Sequence, residues 1–184
     1  MQAPMSRIRR LGFTLIELLI VVIILAILAA IVIPQFTSST KDAQESALAA
    51  DLSSLRSAIA LYQAQHGGVY PGAVTAAGAT CPSSGTASTA TGGDAQTFED
   101  QLLMATNAAG QACPLGDPAT FKYGPYIRKG IPTDPILNSS AVAVTTTGTI
   151  SPGTSGGWAY DTKTGQIITN NTGTDSKGVA YSTY

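Results

Sequence analysis

Glu17 is the one charged side chain between Phe13 and Ile33, a run otherwise built almost wholly of Leu, Ile, Val and Ala. A carboxylate at membrane depth is costly, and it is expected only where something can partner its charge. The chemistry open to it is charge pairing. Other reactive types are sparse: His66 is the only histidine, and the cysteines are Cys81 and Cys113. Two thiols and one imidazole give no zinc spacing. The glycines lie in loop-like stretches, without the strand-to-helix context a phosphate loop needs. This inventory argues against an enzyme. His66 falls at the end of a helical segment, where a stabilising role is expected.

The run around Glu17 has a length that crosses a bilayer, since about 1.5 Å per residue carries it across roughly 30 Å of hydrocarbon. Arg7, Arg9 and Arg10 precede it, and a positive flank keeps that end on the cytoplasmic side. A secretory signal would have a shorter apolar core followed by small residues at the cut. A plain single-pass anchor fits the length but explains neither Glu17 nor the Gly12-Phe13 pair. The chain carries 10 basic and 11 acidic side chains, net −1. Without the three arginines before the run the balance is −4, with no basic patch, so no nucleic-acid partner is expected. Charged residues are 11% of the chain, as suits an exported protein. Cys81 and Cys113 fall on the translocated side, where an oxidising compartment favours a disulfide between them.

Pro34 need not stop the helix; a kink or a locally melted turn is expected there. From about Thr40 to His66, Leu48, Leu52, Leu55, Ile59 and Tyr62 recur at helical spacing, with Lys41, Asp42, Glu45, Asp51 and Arg56 assigned to other faces. Gly67-Gly68 ends that helix. Residues 72–93, mostly Ala, Thr, Ser and Gly, read as a loop. A short helix is expected over Thr97 to about Ala108, with Thr97 and Asp100 as a capping box and Gly110 ending it. Pro125, Pro132 and Pro135 force an extended path in which Tyr126 and Ile127 are buried. Strands are expected at 141–147, 157–160 and 166–169, with Asp161 to Gly165 as a hairpin turn and Trp158 in the core. The tail, 170–184, reads as a surface loop.

Gly12-Phe13-Thr14-Leu15-Ile16-Glu17, behind a basic leader and ahead of an unbroken apolar run and Pro34, resembles the processing site of type IV prepilins and type II secretion pseudopilins. The resemblance implies cleavage between Gly12 and Phe13, methylation of the new Phe13 amine, and pairing of Glu17 with a neighbouring subunit. The Gly124 to Pro135 segment resembles one in major pseudopilins and related pilins, although Asp134-Pro135 is followed here by Ile136-Leu137 in place of Trp-Gly. The Gly156 to Ile167 hairpin resembles the final hairpin of many pilin-like proteins. The implied fold is α+β and pilin-like: a long N-terminal helix, transmembrane then amphipathic, packed on a small C-terminal antiparallel sheet. Residues 1–12 would be a cleaved leader, 13–34 the membrane and assembly helix, and 35–184 a periplasmic globular domain.

The implied function is that of a filament subunit. The first choice is the pseudopilus of a type II secretion system, and the alternative is a pilus for adhesion, motility or DNA uptake. Its partners would be copies of itself, the prepilin peptidase, an inner-membrane assembly platform and minor pilins or pseudopilins. The resemblance also raises calcium, for which Asp134, Asp161 and Asp175 are candidates by ligand chemistry though not by spacing.

Overall fold

The computed structural model describes residues 12–82 and 85–184. The expected leader, residues 1–12, lies outside the described residues apart from Gly12. The chain divides into two compact units, Met1–Lys41 and Asp42–Tyr184, and helix α1, Leu15–Gln65, contributes to both.

In the first unit α1 presents large apolar side chains all round, and Phe13, Ile16, Leu19, Ile23, Leu28 and Phe36 are all exposed. The best window of this helix has a mean hydropathy of 3.4, apolar and long enough to cross a membrane. The helix continues through Pro34, so no turn melts there. Proline removes one main-chain donor. Nearby hydroxyls bond back onto the helix: Thr37 Oγ1 donates to the Ile33 carbonyl at 3.1 Å and Thr40 Oγ1 to that of Phe36 at 2.8 Å.

In the second unit Leu48, Leu52, Leu55, Ile59 and Tyr62 form the buried stripe that their spacing predicts. Phe98 and Leu102 of α2 (Ala95–Leu103) pack against it, together with Val142, Trp158, Tyr160 and Ile167. Tyr126 and Ile127 are half-buried at its edge. Two of its rings keep their polar ends bonded: Trp158 Nε1 donates to the Pro132 carbonyl at 2.7 Å and Tyr160 OH to that of Pro71 at 2.9 Å, whereas the buried Tyr62 OH has no partner among the described residues.

Several expectations are corrected. Helix α2 starts at Ala95, with Asp94 at its N-cap, and ends at Leu103. Thr97 lies inside it, and its hydroxyl donates to the Thr91 carbonyl, so the expected capping box is absent. The chain leaves the helix early because Ala105–Thr106 (β1) pairs antiparallel with Ala112–Cys113 (β2). Gly110 therefore serves the β1–β2 turn. Its φ is +83°, and a Cβ there would lie 2.8 Å from Tyr62 OH and from Val74 Cγ2.

The C-terminal sheet is mixed, where an antiparallel one was expected. Its order is β3 (Val142–Thr145), β4 (Trp158–Asp161), β5 (Ile167–Thr169). Strands β3 and β4 run parallel, while β4 and β5 form the expected antiparallel hairpin. Residues 146–157 supply the long return path that parallel neighbours require. In the hairpin Gly165 has φ +71°, and a Cβ there would run into the Tyr70 ring at 2.1 Å.

Glu45, assigned by spacing to a polar face, is 9% exposed and lies on the buried stripe. Its carboxylate accepts from Ser176 N at 2.8 Å, Ser176 Oγ at 3.0 Å and Tyr181 OH at 3.4 Å. The tail is thus tied to α1 and is no loose surface loop. The architecture is α+β and pilin-like.

Candidate functional site

The start of α1 gathers the residues singled out for chemistry. Gly12 to Thr14 are non-helical and exposed, with Phe13 at 77%. A Cβ on Gly12 would meet nothing within 4 Å. The Gly12–Phe13 peptide therefore lies in open, unwound chain immediately before the first helical turn, a form that a peptidase can grip.

Glu17 sits in that first turn. Its Oε2 accepts from Thr14 N at 2.8 Å and from Thr14 Oγ1 at 2.7 Å, and Glu17 N donates back to Thr14 Oγ1 at 3.3 Å. This is a reciprocal capping box, which satisfies otherwise orphaned N–H groups at the helix start. It also gives a lone carboxylate in an apolar run local donors. Its role was missed in the sequence, although Thr-x-x-Glu at the head of an apolar run is the signal that would have found it. The box holds the carboxylate over the residues that become the chain's beginning if the Gly12–Phe13 bond is cut.

Cys81 and Cys113 are joined by a disulfide, with Cα atoms 5.7 Å apart. The bridge pins the 72–93 loop to β2 beside a small cluster of Ala105, Cys113 and Phe121. Main-chain bonds reinforce it: Ala112 N donates to Ala76 O at 3.0 Å and Ser88 N to Ala112 O at 3.1 Å.

The three candidate calcium aspartates are not brought together. Asp134 Oδ1 accepts from Ile136 N and Leu137 N at 2.8 and 2.9 Å, and its Oδ2 accepts from Thr169 Oγ1. Asp161 Oδ1 accepts from Lys163 N and Thr164 N, each at 2.8 Å, and its Oδ2 from Gly148 N at 2.7 Å. Asp175 accepts from Lys177 N, Val179 N and Tyr184 OH. Each carboxylate organises its own turn, and among the described residues no group of three His, Cys, Asp or Glu side chains could hold a metal. The set does not fit a calcium ion. For Asp161, burial raises the carboxyl pKa, but the N–H donors of Thr164, Gly148 and Lys163 outweigh it and leave the group below the usual carboxylate range.

His66 is 6% exposed, its ring stacked on Tyr62 at 3.8 Å between centroids. Nδ1 lies 2.9 Å from the Tyr62 carbonyl, and Nε2 lies 3.0 Å from the Asn107 carbonyl and 3.1 Å from Thr106 Oγ1. Burial raises the phenol pKa of Tyr62 and pushes that of Tyr126 up to about 12, so both rings stay neutral beside it. The hydroxyl–imidazole contact has nucleophile–base geometry, but Thr106 is fully buried and out of a substrate's reach. A groove of about 500 Å³ is lined by Arg56, Ile150, Pro152, Gln166, Ile168 and Ser182. Its guanidinium already donates to the Ile167 carbonyl at 3.2 Å and to that of Tyr184.

A family model described as the prokaryotic N-terminal methylation motif matches residues 7–33, the stretch holding Gly12, Phe13, Thr14 and Glu17. The chain is 41% identical over 59 residues, 32% of its length and 42% of the relative's, to the type II secretion system core protein G of Pseudomonas aeruginosa. It is 43% identical over 61 residues, 33% of its length and 53% of the relative's, to the type IV narrow pilus major component of Thermus thermophilus. The chain thus spans about half or less of these relatives' own lengths. No solved structure matches it significantly.

Proposed function

We propose that this chain, which carries the prepilin-type N-terminal methylation motif, is the structural subunit of a helical filament, the pseudopilus of a type II protein secretion system. The observation that carries the reading is the stretch of α1 up to Phe36, apolar on every side, whose single carboxylate is held at its first turn. Such a helix has no place in water and two places out of it, lipid and a bundle of its own copies. The subunit waits in the inner membrane with residues 1–12 cytoplasmic and residues 35–184 periplasmic. Cleavage after Gly12 frees the Phe13 amine, which is methylated. In the filament Glu17 pairs with the amine of an adjacent copy and so sets the axial step between helices that could otherwise slide. Pro34, short of one hydrogen bond, is where the helix bends or melts on assembly. The peptidase, an assembly platform and minor pseudopilins are the remaining partners.

A pilus for adhesion, motility or DNA uptake is the second reading. It is favoured by the similarity to the narrow pilus component and by Ile136-Leu137 in place of Trp-Gly. Under either reading the protein is not an enzyme.

The test is intact-mass analysis of protein from its own host, followed by shearing of cells. The expected chain starts at a methylated Phe13 and is released as polymer. A mature chain that keeps residues 1–12, or one cut after Ala30, overturns the reading. Loss of secretion on deletion, with twitching and DNA uptake unchanged, separates the first reading from the second.

A further inference from the structure

The cations of the globular unit are unevenly placed. Lys122, Arg128 and Lys129 share one loop and all are exposed. Main-chain and tyrosine contacts fix this loop at the C-terminal end of α1. Tyr123 N donates to Thr106 O, Tyr126 N and Ile127 N to Leu102 O, and Tyr126 OH to Gln65 Oε1 at 2.8 Å. Those contacts leave the three cations to solvent, with the Lys122 ammonium 5.2 Å from the centre of the Tyr123 ring.

At the other end of the same unit's stretch of α1, a groove of about 390 Å³ is lined by Asp42, Glu45, Ser46, Ala49, Lys177 and Tyr184. Glu45 is occupied by Ser176, whereas the Asp42 side chain is exposed at the rim. Lys177 opposes a cation there, and Asp175 beside it, which accepts the Lys177 N–H at 2.8 Å, offsets that charge. Asp42 and Gln65 lie on one helix, roughly 35 Å apart at 1.5 Å per residue.

We infer that the 122–129 loop of one copy seats against the Asp42 rim of this groove on the next copy. The inference rests on the filament reading above. Patch and rim sit at opposite ends of one helix, so translating a copy along that axis brings unlike charges together. Copies anchored in one membrane share an orientation, so a two-fold dimer of them would set basic loop beside basic loop. The contact is heterologous and does not close, as a filament requires. Arg128 can offer Asp42 two parallel N–H donors, and the flanking lysines add steering and fix the partner's direction. Such a contact gives the globular units a register of their own.

The test uses the full-length chain in its own filament assay, at matched subunit levels and with melting temperatures recorded. The variants are Arg128→Glu with Lys129→Glu, Asp42→Lys, and all three together. Each reversed set should lower sheared-filament yield at least about tenfold with melting unchanged, as like-charge contacts do. The combination should return the yield to within about threefold of the parent, since the charges are then swapped and not lost. Parent yield should also fall as ionic strength rises. Parental yield from either reversed set, or a combination no better than its parts, overturns the contact while leaving the filament reading standing. A parent chain that gives no polymer overturns both.

Discussion

Two stretches of one helix solve opposite problems. Between Phe13 and Phe36 large apolar side chains point outward in every direction. Between Leu48 and Tyr62 the large apolar residues, Leu61 apart, keep to one stripe, with Ser53, Ser54 and Ser57 outside it. The second stretch finds its partners within its own chain, and the first has none among the described residues. What distinguishes them is how far the apolar residues extend around the helix, more than how many there are. A stripe encodes a fold. A full sleeve encodes an environment, which under the proposed function is lipid or other copies.

The contrast breaks most sharply at Glu17. Glu17→Val should leave membrane insertion intact or improved and should spare cleavage after Gly12, yet drop sheared-filament yield at least about tenfold, as loss of a desolvated charge pair does. Filaments at parental yield would leave the outward-facing stretch a mere anchor. Leu52→Ala, inside the stripe, should destabilise the globular unit by about 2–5 kcal/mol in a urea titration of the full chain in detergent micelles. Leu25→Ala, inside the sleeve, should leave that transition where it was. A shift from Leu25→Ala matching that of Leu52→Ala would erase the distinction.

The other two predictions sharpen the globular side. Cys81→Ser with Cys113→Ser should cost roughly 3–4 kcal/mol of stability, from a loop of this length in the chain-entropy account. Non-reducing peptide mapping of exported parent protein should recover the two cysteines as one linked pair. Asp161→Asn should cost about 1–2 kcal/mol, because an amide must aim an N–H at one of the donors the carboxylate accepts. Since the folded Asp161 carboxyl lies below the usual range, its contribution is complete above about pH 4 and is lost as pH falls through the lowered folded value. An acid titration should therefore show the parent and Asp161→Asn converging at low pH.

Much of this was legible in the sequence because it depends on local period or on one residue's chemistry. The Leu48 to Tyr62 row, the Asp161–Gly165 hairpin and the long helix are of that kind. The direction of β3 was not legible: it follows from the path of residues 146–157, a Gly/Ser/Thr stretch with no period to read. The two-residue strands β1 and β2 are too short to have one. Thr97 and Asp94 are both good capping types, and only the helix's actual start chooses between them. Glu45 misled because a charge suggests a solvent face until its partners, Ser176 and Tyr181, arrive from far along the chain. At the candidate site Glu17 stood out by type, and Gly12 and Phe13 through the resemblance of the 12–17 motif. Thr14 was passed over although its spacing from Glu17 is a helix-start signature.

The bond between Glu45 and Ser176 spans 131 residues of sequence. Long closures of that kind slow folding, because the chain loses loop entropy before any contact rewards it. The stripe is made early and its sheet late. At about 5–20 residues per second of synthesis, roughly 5–20 s separate Tyr62 from β5. Throughout that interval, if residues 35–184 are periplasmic as proposed, a row of leucines is exposed there with only α2 of its own chain to cover it. A periplasmic holding chaperone acting on the nascent chain would bind there, and the time it must hold is set by the distance to the last strand.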